Sequence, residues 1–116
     1  MNASPASEWT SQLRRGALEL CVLRILQDEA SYGYEIVTTL GKLGPLAANE
    51  NTVYPLLRRL KNDAQLETFT VESPSGPPRQ YYRLTAQGRR RLQALAKEWT
   101  ELARAVELCL SNGGPS

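Results

Sequence analysis

Apolar residues recur at helical spacing in four stretches of this chain, and two alternating stretches lie between the third and the fourth. From Trp9 to about Gln27, Leu13, Ala17, Leu20 and Leu23 mark one helical face, while Leu18, Val22 and Ile25 mark another. A helix apolar nearly all round is usually buried on two sides. One face is therefore expected on the domain's own core and the other, through Leu13 and Leu20, on a partner chain. Asp28-Glu29-Ala30-Ser31 interrupts the pattern, and Ser31 or a neighbour can cap a second helix over about Gly33 to Lys42. Tyr34, Val37 and Leu40 point inward at its spacing, and Gly41, Gly44 and Pro45 end it. A third helix begins near Asn49, where Asn49 or Asn51 can cap exposed N–H groups. Val53, Leu56, Leu57 and Leu60 form its inward stripe and leave Thr52, Arg58, Arg59 and Lys61 for other roles. Pro55 is tolerable only near a helix start, where it predicts a slight kink.

The alternating stretches are Glu67 to Glu72 and Gln80 to Leu84, both rich in β-branched or aromatic residues. Between them, Ser73-Pro74-Ser75-Gly76-Pro77-Pro78 can continue neither strand. The pattern predicts a hairpin directly after a basic third helix. Thr85 can cap a last helix that runs to about Leu110, before Asn112-Gly113-Gly114-Pro115. Leu92, Leu95, Trp99, Leu102, Val106 and Cys109 recur along it at alternating steps of three and four residues, the signature of helices packed side by side. The expected fold is mostly α with a small β-hairpin wing: a winged helix-turn-helix over residues 9–85 and a long dimerisation helix over 86–110. Residues 1–8 and 111–116 are expected as flexible tails.

Composition narrows the function. The chain has 116 residues, 41% hydrophobic and 22% charged, which suits one globular domain. The most apolar stretch, Gly16 to Leu26, carries Glu19 and Arg24, so neither a signal peptide nor a membrane span is expected and the location reads as cytoplasmic. Histidine is absent and the two cysteines, Cys21 and Cys109, lack metal-ligand spacing. No cofactor, metal or catalytic group is expected. Net charge is only +2, but residues 58–91 hold eight Lys or Arg against three acidic residues, a local +5. Positive charge gathered on one segment is the footprint of a nucleic-acid binder.

Three stretches resemble the PadR family of bacterial transcriptional regulators. They are Gly16-Ala17-Leu18-Glu19-Leu20-Cys21-Val22-Leu23 with Tyr32-Gly33-Tyr34-Glu35-Ile36, then Asn51 to Leu60 (Asn-Thr-Val-Tyr-Pro-Leu-Leu-Arg-Arg-Leu), then Gly76 to Gly88 (Gly-Pro-Pro-Arg-Gln-Tyr-Tyr-Arg-Leu-Thr-Ala-Gln-Gly). The resemblance implies a winged helix with a C-terminal dimerisation helix, usually a repressor, and the single C-terminal helix resembles the compact branch of the family. Two positions depart from the family pattern. Asn51 replaces a glycine at the start of the recognition helix, and Ala64 replaces the glycine that ends it. Alanine is costly in the left-handed conformation, so that helix is expected to end differently and shift the wing.

These readings predict a sequence-specific repressor whose partners are a second copy of the chain and a palindromic double-stranded operator. A winged helix used only for protein contacts is the alternative. Tyr32, Asn51, Thr52, Tyr54, Arg58, Lys61, Gly76, Arg79 and Gln80 are the candidate DNA contacts, with Tyr54 equally able to pack on the second helix. Leu13, Leu20, Leu92, Leu95, Trp99, Leu102 and Val106 are the candidate dimer contacts. Trp99 is bulky for a helical seam. It either fills the interface or, as the resemblance to compact PadR-like repressors implies, lines a cavity for a flat aromatic effector.

Overall fold

The structure, a computed structural model, describes the backbone of residues 5–112 and the side chains of residues 8–111. Helix α1 spans Pro5–Asp28, α2 Gly33–Gly41, α3 Glu50–Asn62 and α4 Ala86–Asn112. Strands β2 (Leu66–Val71) and β3 (Arg79–Leu84) form the hairpin, and a two-residue strand β1 (Ser31–Tyr32) precedes α2. Residues 5–8 and 111–112, expected in the tails, belong to α1 and α4; residues 1–4 and 113–116 lie outside the described residues. The hairpin grows to an antiparallel sheet of order β1-β3-β2, with Tyr32 paired to Tyr81 and Phe69 paired to Tyr81 from the other side. Two residues are too short a run to show a period, so β1 left no pattern to read.

One core unites the domain. Leu18, Val22, Leu23 and Leu26 of α1 meet Ile36 and Leu40 of α2, Val53, Leu57 and Leu60 of α3, Leu66 and Leu84 of the sheet, and Leu92 of α4. Three expectations change here. Tyr34 is 62% exposed, and Ile36 takes the inward position beside Leu40. Leu92 is buried in its own chain's core, and Leu95 and Leu20 pack half-buried against that core. The exposed large apolar residues of α4 therefore begin at Trp99.

The helix ends explain the geometry between elements. Asn49 caps α3, its Oδ1 accepting from the Thr52 N–H at 3.2 Å, so Asn51 is free of that role. No side chain caps α2; Ser31 Oγ instead donates to the Glu35 carboxylate in the first turn. At the other end of α3, Ala64 adopts the left-handed conformation at φ 63°. The Gln65 N–H reaches Leu60 O at 2.9 Å and the Ala64 N–H reaches Lys61 O at 3.0 Å, the two bonds of a Schellman end. The expected change of helix ending does not occur: alanine takes the glycine conformation and bears its cost. Thr85 then ties this corner to α4. Its Oγ1 lies 2.7 Å from Ala64 O, to which it donates, and accepts from the Gly88 N–H at 3.0 Å. Its N–H donates to Gln65 O at 3.1 Å. The α4 backbone passes so close that a Cβ on Gly88 would stand 2.2 Å from Gln65 O.

Candidate nucleic-acid interface

The exposed face of α3 follows from its stripe. With Val53, Leu57 and Leu60 buried, a turn of 3.6 residues puts Asn51, Tyr54 and Arg58 within about 60° of one another on the opposite side. All three are exposed, and Lys61 is exposed one turn beyond Arg58. Thr52 lies about 100° round the helix from Asn51, toward α1. It lines a second hollow there with Ser11, Arg15, Pro55 and Arg59. The three basic residues of α3 accordingly separate. Arg59 is held by Glu19 at 3.0 Å and Asp63 at 3.5 Å, whereas Arg58 and Lys61 enter no ion pair among the described residues.

Of the two roles foreseen for Tyr54, the structure shows the packing on the second helix. Its ring packs on α2, where a Cβ on Gly33 would stand 2.4 Å from Tyr54 Cε1, and 40% of the residue remains exposed. Only glycine permits that approach. Between α2, α3 and the wing lies an open cleft of about 490 Å³, lined by Tyr32, Gly33, Tyr34, Tyr54, Arg79, Gln80 and Tyr82. Burial pushes the Tyr82 hydroxyl's pKa up, and the charge of Arg58 draws it partly back.

The wing carries a stack that sequence reasoning missed. On β3, residues 79, 81 and 83 share one face by the two-residue period of a strand. The Arg79 guanidinium lies 4.6 Å from the Tyr32 ring centre, and Tyr32 is 5.2 Å from Tyr81. Tyr81 stacks on Phe69 at 5.6 Å, and Arg83 covers Phe69 at 4.6 Å while its Nε donates to Glu67 at 2.9 Å. The visible signal was the alternation Arg-x-Tyr-x-Arg. Its partner Tyr32 became a neighbour only through β1. Gly76 is exposed at the wing tip, and Gln80 lies on the cleft side.

On the far side of α3, Glu19 of α1 accepts from Arg59 Nη2 and from Arg91 Nε of α4, both at 3.0 Å, with its side chain only 13% exposed. Burial raises its pKa, but the two guanidinium bonds and charges outweigh that and hold the carboxyl below its ordinary range.

A family model, the transcriptional regulator PadR-like family, matches residues 22–94, more than half of the chain. The chain belongs to this family. Among solved structures, the PadR family transcriptional regulator from Eggerthella lenta superposes with a TM-score of 0.83 at 36% identity, covering 92% of this chain and 93% of that one. A PadR-like transcriptional regulator from Bacillus cereus gives 0.78 at 35% identity, over 85% and 96% of the two chains. An uncharacterized protein, protein X, of Lysinibacillus sphaericus is 31% identical over 100 residues, 84% of this chain and 92% of its own. The chain is therefore a PadR-like transcriptional regulator with a winged helix and a long C-terminal helix. Among the described residues no helix is long and apolar enough to cross a membrane.

The candidate dimer residues of this PadR-like chain divide in the structure. Leu13, Trp99, Leu102 and Val106 are exposed at 55%, 52%, 61% and 47%. Trp99 also closes a small hollow of about 240 Å³ with Thr10, Leu13, Ala17, Pro45 and Leu46, between α1 and α4.

Proposed function

We propose that this PadR-like protein is a homodimeric repressor that binds a palindromic DNA operator and releases it on binding a flat aromatic effector. The observation that carries the reading is one concave cleft to which α3 contributes Tyr54, on the same exposed helix face as Asn51 and Arg58, and the wing contributes Arg79 stacked on Tyr32. An α-helix fits the major groove, where all four base pairs are distinguishable. Arg79, at the base of a proline-rich wing, suits phosphate or a narrow minor groove. Tyr32 serves as the platform for Arg79, and Lys61, Thr52, Gly76 and Gln80 flank the contact.

Exposed Leu13, Trp99, Leu102 and Val106 support dimerisation, because a stripe of this kind is covered in most proteins. A second copy applied by a two-fold axis covers it and sets the two α3 helices about one DNA turn apart. Two Trp99 rings, each beside its apolar hollow, then offer flat surfaces to an aromatic ring. The ligand lowers DNA affinity insofar as it prefers a dimer with differently spaced α3 helices.

Titration of labelled duplex at several salt concentrations tests the reading. Affinity should fall steeply with salt, and Arg79→Ala should reduce the slope by about one unit. Salt-independent or absent duplex binding would leave the winged helix as a protein-contact module. For the effector, planar aromatic compounds should quench Trp99 in a Trp9→Phe protein and release the duplex, and Trp99→Ala should lose that response.

A further inference from the structure

The corner where α3 ends and α4 begins is tied by a short set of hydrogen bonds. Thr85 bonds Ala64 O and Gln65 O, and Gln87 Nε2 donates to Asp63 O at 3.3 Å. Leu92 and Leu95 seat the first turns of α4 on the core, so the helix is held there as well as at the corner. Glu19 adds a polar link that joins α3 and α4 directly. It grips Arg59, five residues before Ala64, and Arg91, six residues after Thr85, at equal distances of 3.0 Å. At 1.5 Å per residue, Arg91 lies about 9 Å along α4 from the joint. The three side chains therefore brace the angle between α3 and α4 as the third side of a triangle.

The lever is long. Val106 lies about 32 Å from Thr85 along the same helix, so a swing of about 5° at the joint displaces it by about 3 Å. Surface ion pairs rarely set structure, but Glu19 is one carboxylate shared by two guanidiniums and largely withdrawn from water. It also sits on α1, which packs against the core, so the brace is anchored rather than floating.

We infer that Glu19 is a positioning residue that fixes the angle between α3 and α4, and through it the half-site spacing that a dimer accepts. The consequence for spacing rests on the DNA-binding reading above; the angle itself does not. Arg59 and Arg91 are the two arms of the brace and are withheld from DNA.

Two measurements on the full chain test this. First, nitroxides on Asn62→Cys and Lys97→Cys, in a Cys21→Ala, Cys109→Ser background diluted with unlabelled protein, read the distance between α3 and α4 within one chain. Glu19→Gln keeps the shape and removes the charge, and it should widen that distribution; Arg91→Gln should widen it as well. Second, duplexes enriched by the wild-type protein from a random pool are remade with one base pair added or removed between half-sites, a turn of about 34°. Wild-type affinity should fall about tenfold or more, and that of Glu19→Gln about threefold or less, at matched affinity for the parent site. An unchanged distribution overturns the brace. A widened distribution with an unchanged spacing profile, or an equal loss of affinity at every spacing, overturns its role in spacing. If the wild type enriches no duplex, the DNA reading fails, and the label distances still decide whether Glu19 braces the angle.

Discussion

Replacing Ala64 by glycine should stabilise the protein. Ala64 holds φ 63° so that Gln65 and Ala64 can close the end of α3 on Leu60 and Lys61. The left-handed conformation costs an alanine about 1–2 kcal/mol, because its Cβ crowds the following carbonyl. Glycine removes that cost but gives the unfolded chain more freedom, worth about 0.4–1 kcal/mol in the opposite direction. The difference leaves a gain of about 0.5–1 kcal/mol. For a domain of 116 residues that raises the midpoint of thermal unfolding by about 2–4 °C. The Ala64 carbonyl still accepts from Thr85, so the corner keeps its bonds. Differential scanning calorimetry at fixed protein concentration measures the shift, and fixed concentration matters because a dimer's midpoint depends on it. Ala64→Val supplies the opposite arm, since a β-branched residue at this φ is a strong outlier and should cost more than the alanine does. If glycine lowers the midpoint, or valine matches the wild type, residue 64 is not held left-handed and the argument fails.

Gly88→Ala should destabilise the fold by about 3 kcal/mol in urea unfolding, although alanine favours helix by about 1 kcal/mol elsewhere, because its Cβ meets Gln65 O and Leu84 Cδ1 at 2.2 and 2.8 Å. Tyr32→Leu should remove the platform under Arg79 and weaken duplex binding by about three- to tenfold, while Tyr32→Phe keeps the ring face and the affinity. Leu102→Glu should shift sedimentation toward monomer, because it sets a charge on the exposed α4 stripe that the proposed partner covers. Glu19 has a depressed pKa, so its stabilisation is complete above the ordinary glutamate range and fades as pH falls through the folded value. The acid limb of an unfolding profile below about pH 4 should therefore be shallower for Glu19→Gln than for the wild type.

Much of the site was legible because helices and strands impress their periods on sequence. The stripe of Val53, Leu57 and Leu60 placed Arg58 outward before any coordinates, and Asn49 announced the start of α3. The corner at Thr85 was legible as a cap, and the glycine departure at Ala64 was rightly singled out. Its outcome was not, because a local preference of about 1 kcal/mol yields when neighbouring bonds fix the chain. Tyr34 was misplaced for a related reason. A nine-residue helix offers two overlapping stripes, and only packing against α1 and α3 chose Ile36 over it.

Local order and charge distribution were thus determined by the sequence alone: four helices, a hairpin, the basic segment over residues 58–91 and the heptad spacing of α4. Each depends on residues within a few positions of one another, where geometry is set by the backbone's own repeat. Tertiary structure decided which of those residues meet. It brought Tyr32 under Arg79 and joined Glu19 to partners 40 and 72 residues away. It also drew Leu92 into the core and left Trp99 outside. Such contacts join segments far apart in the chain, and no period in one sequence records them, because they depend on how completed helices and strands pack.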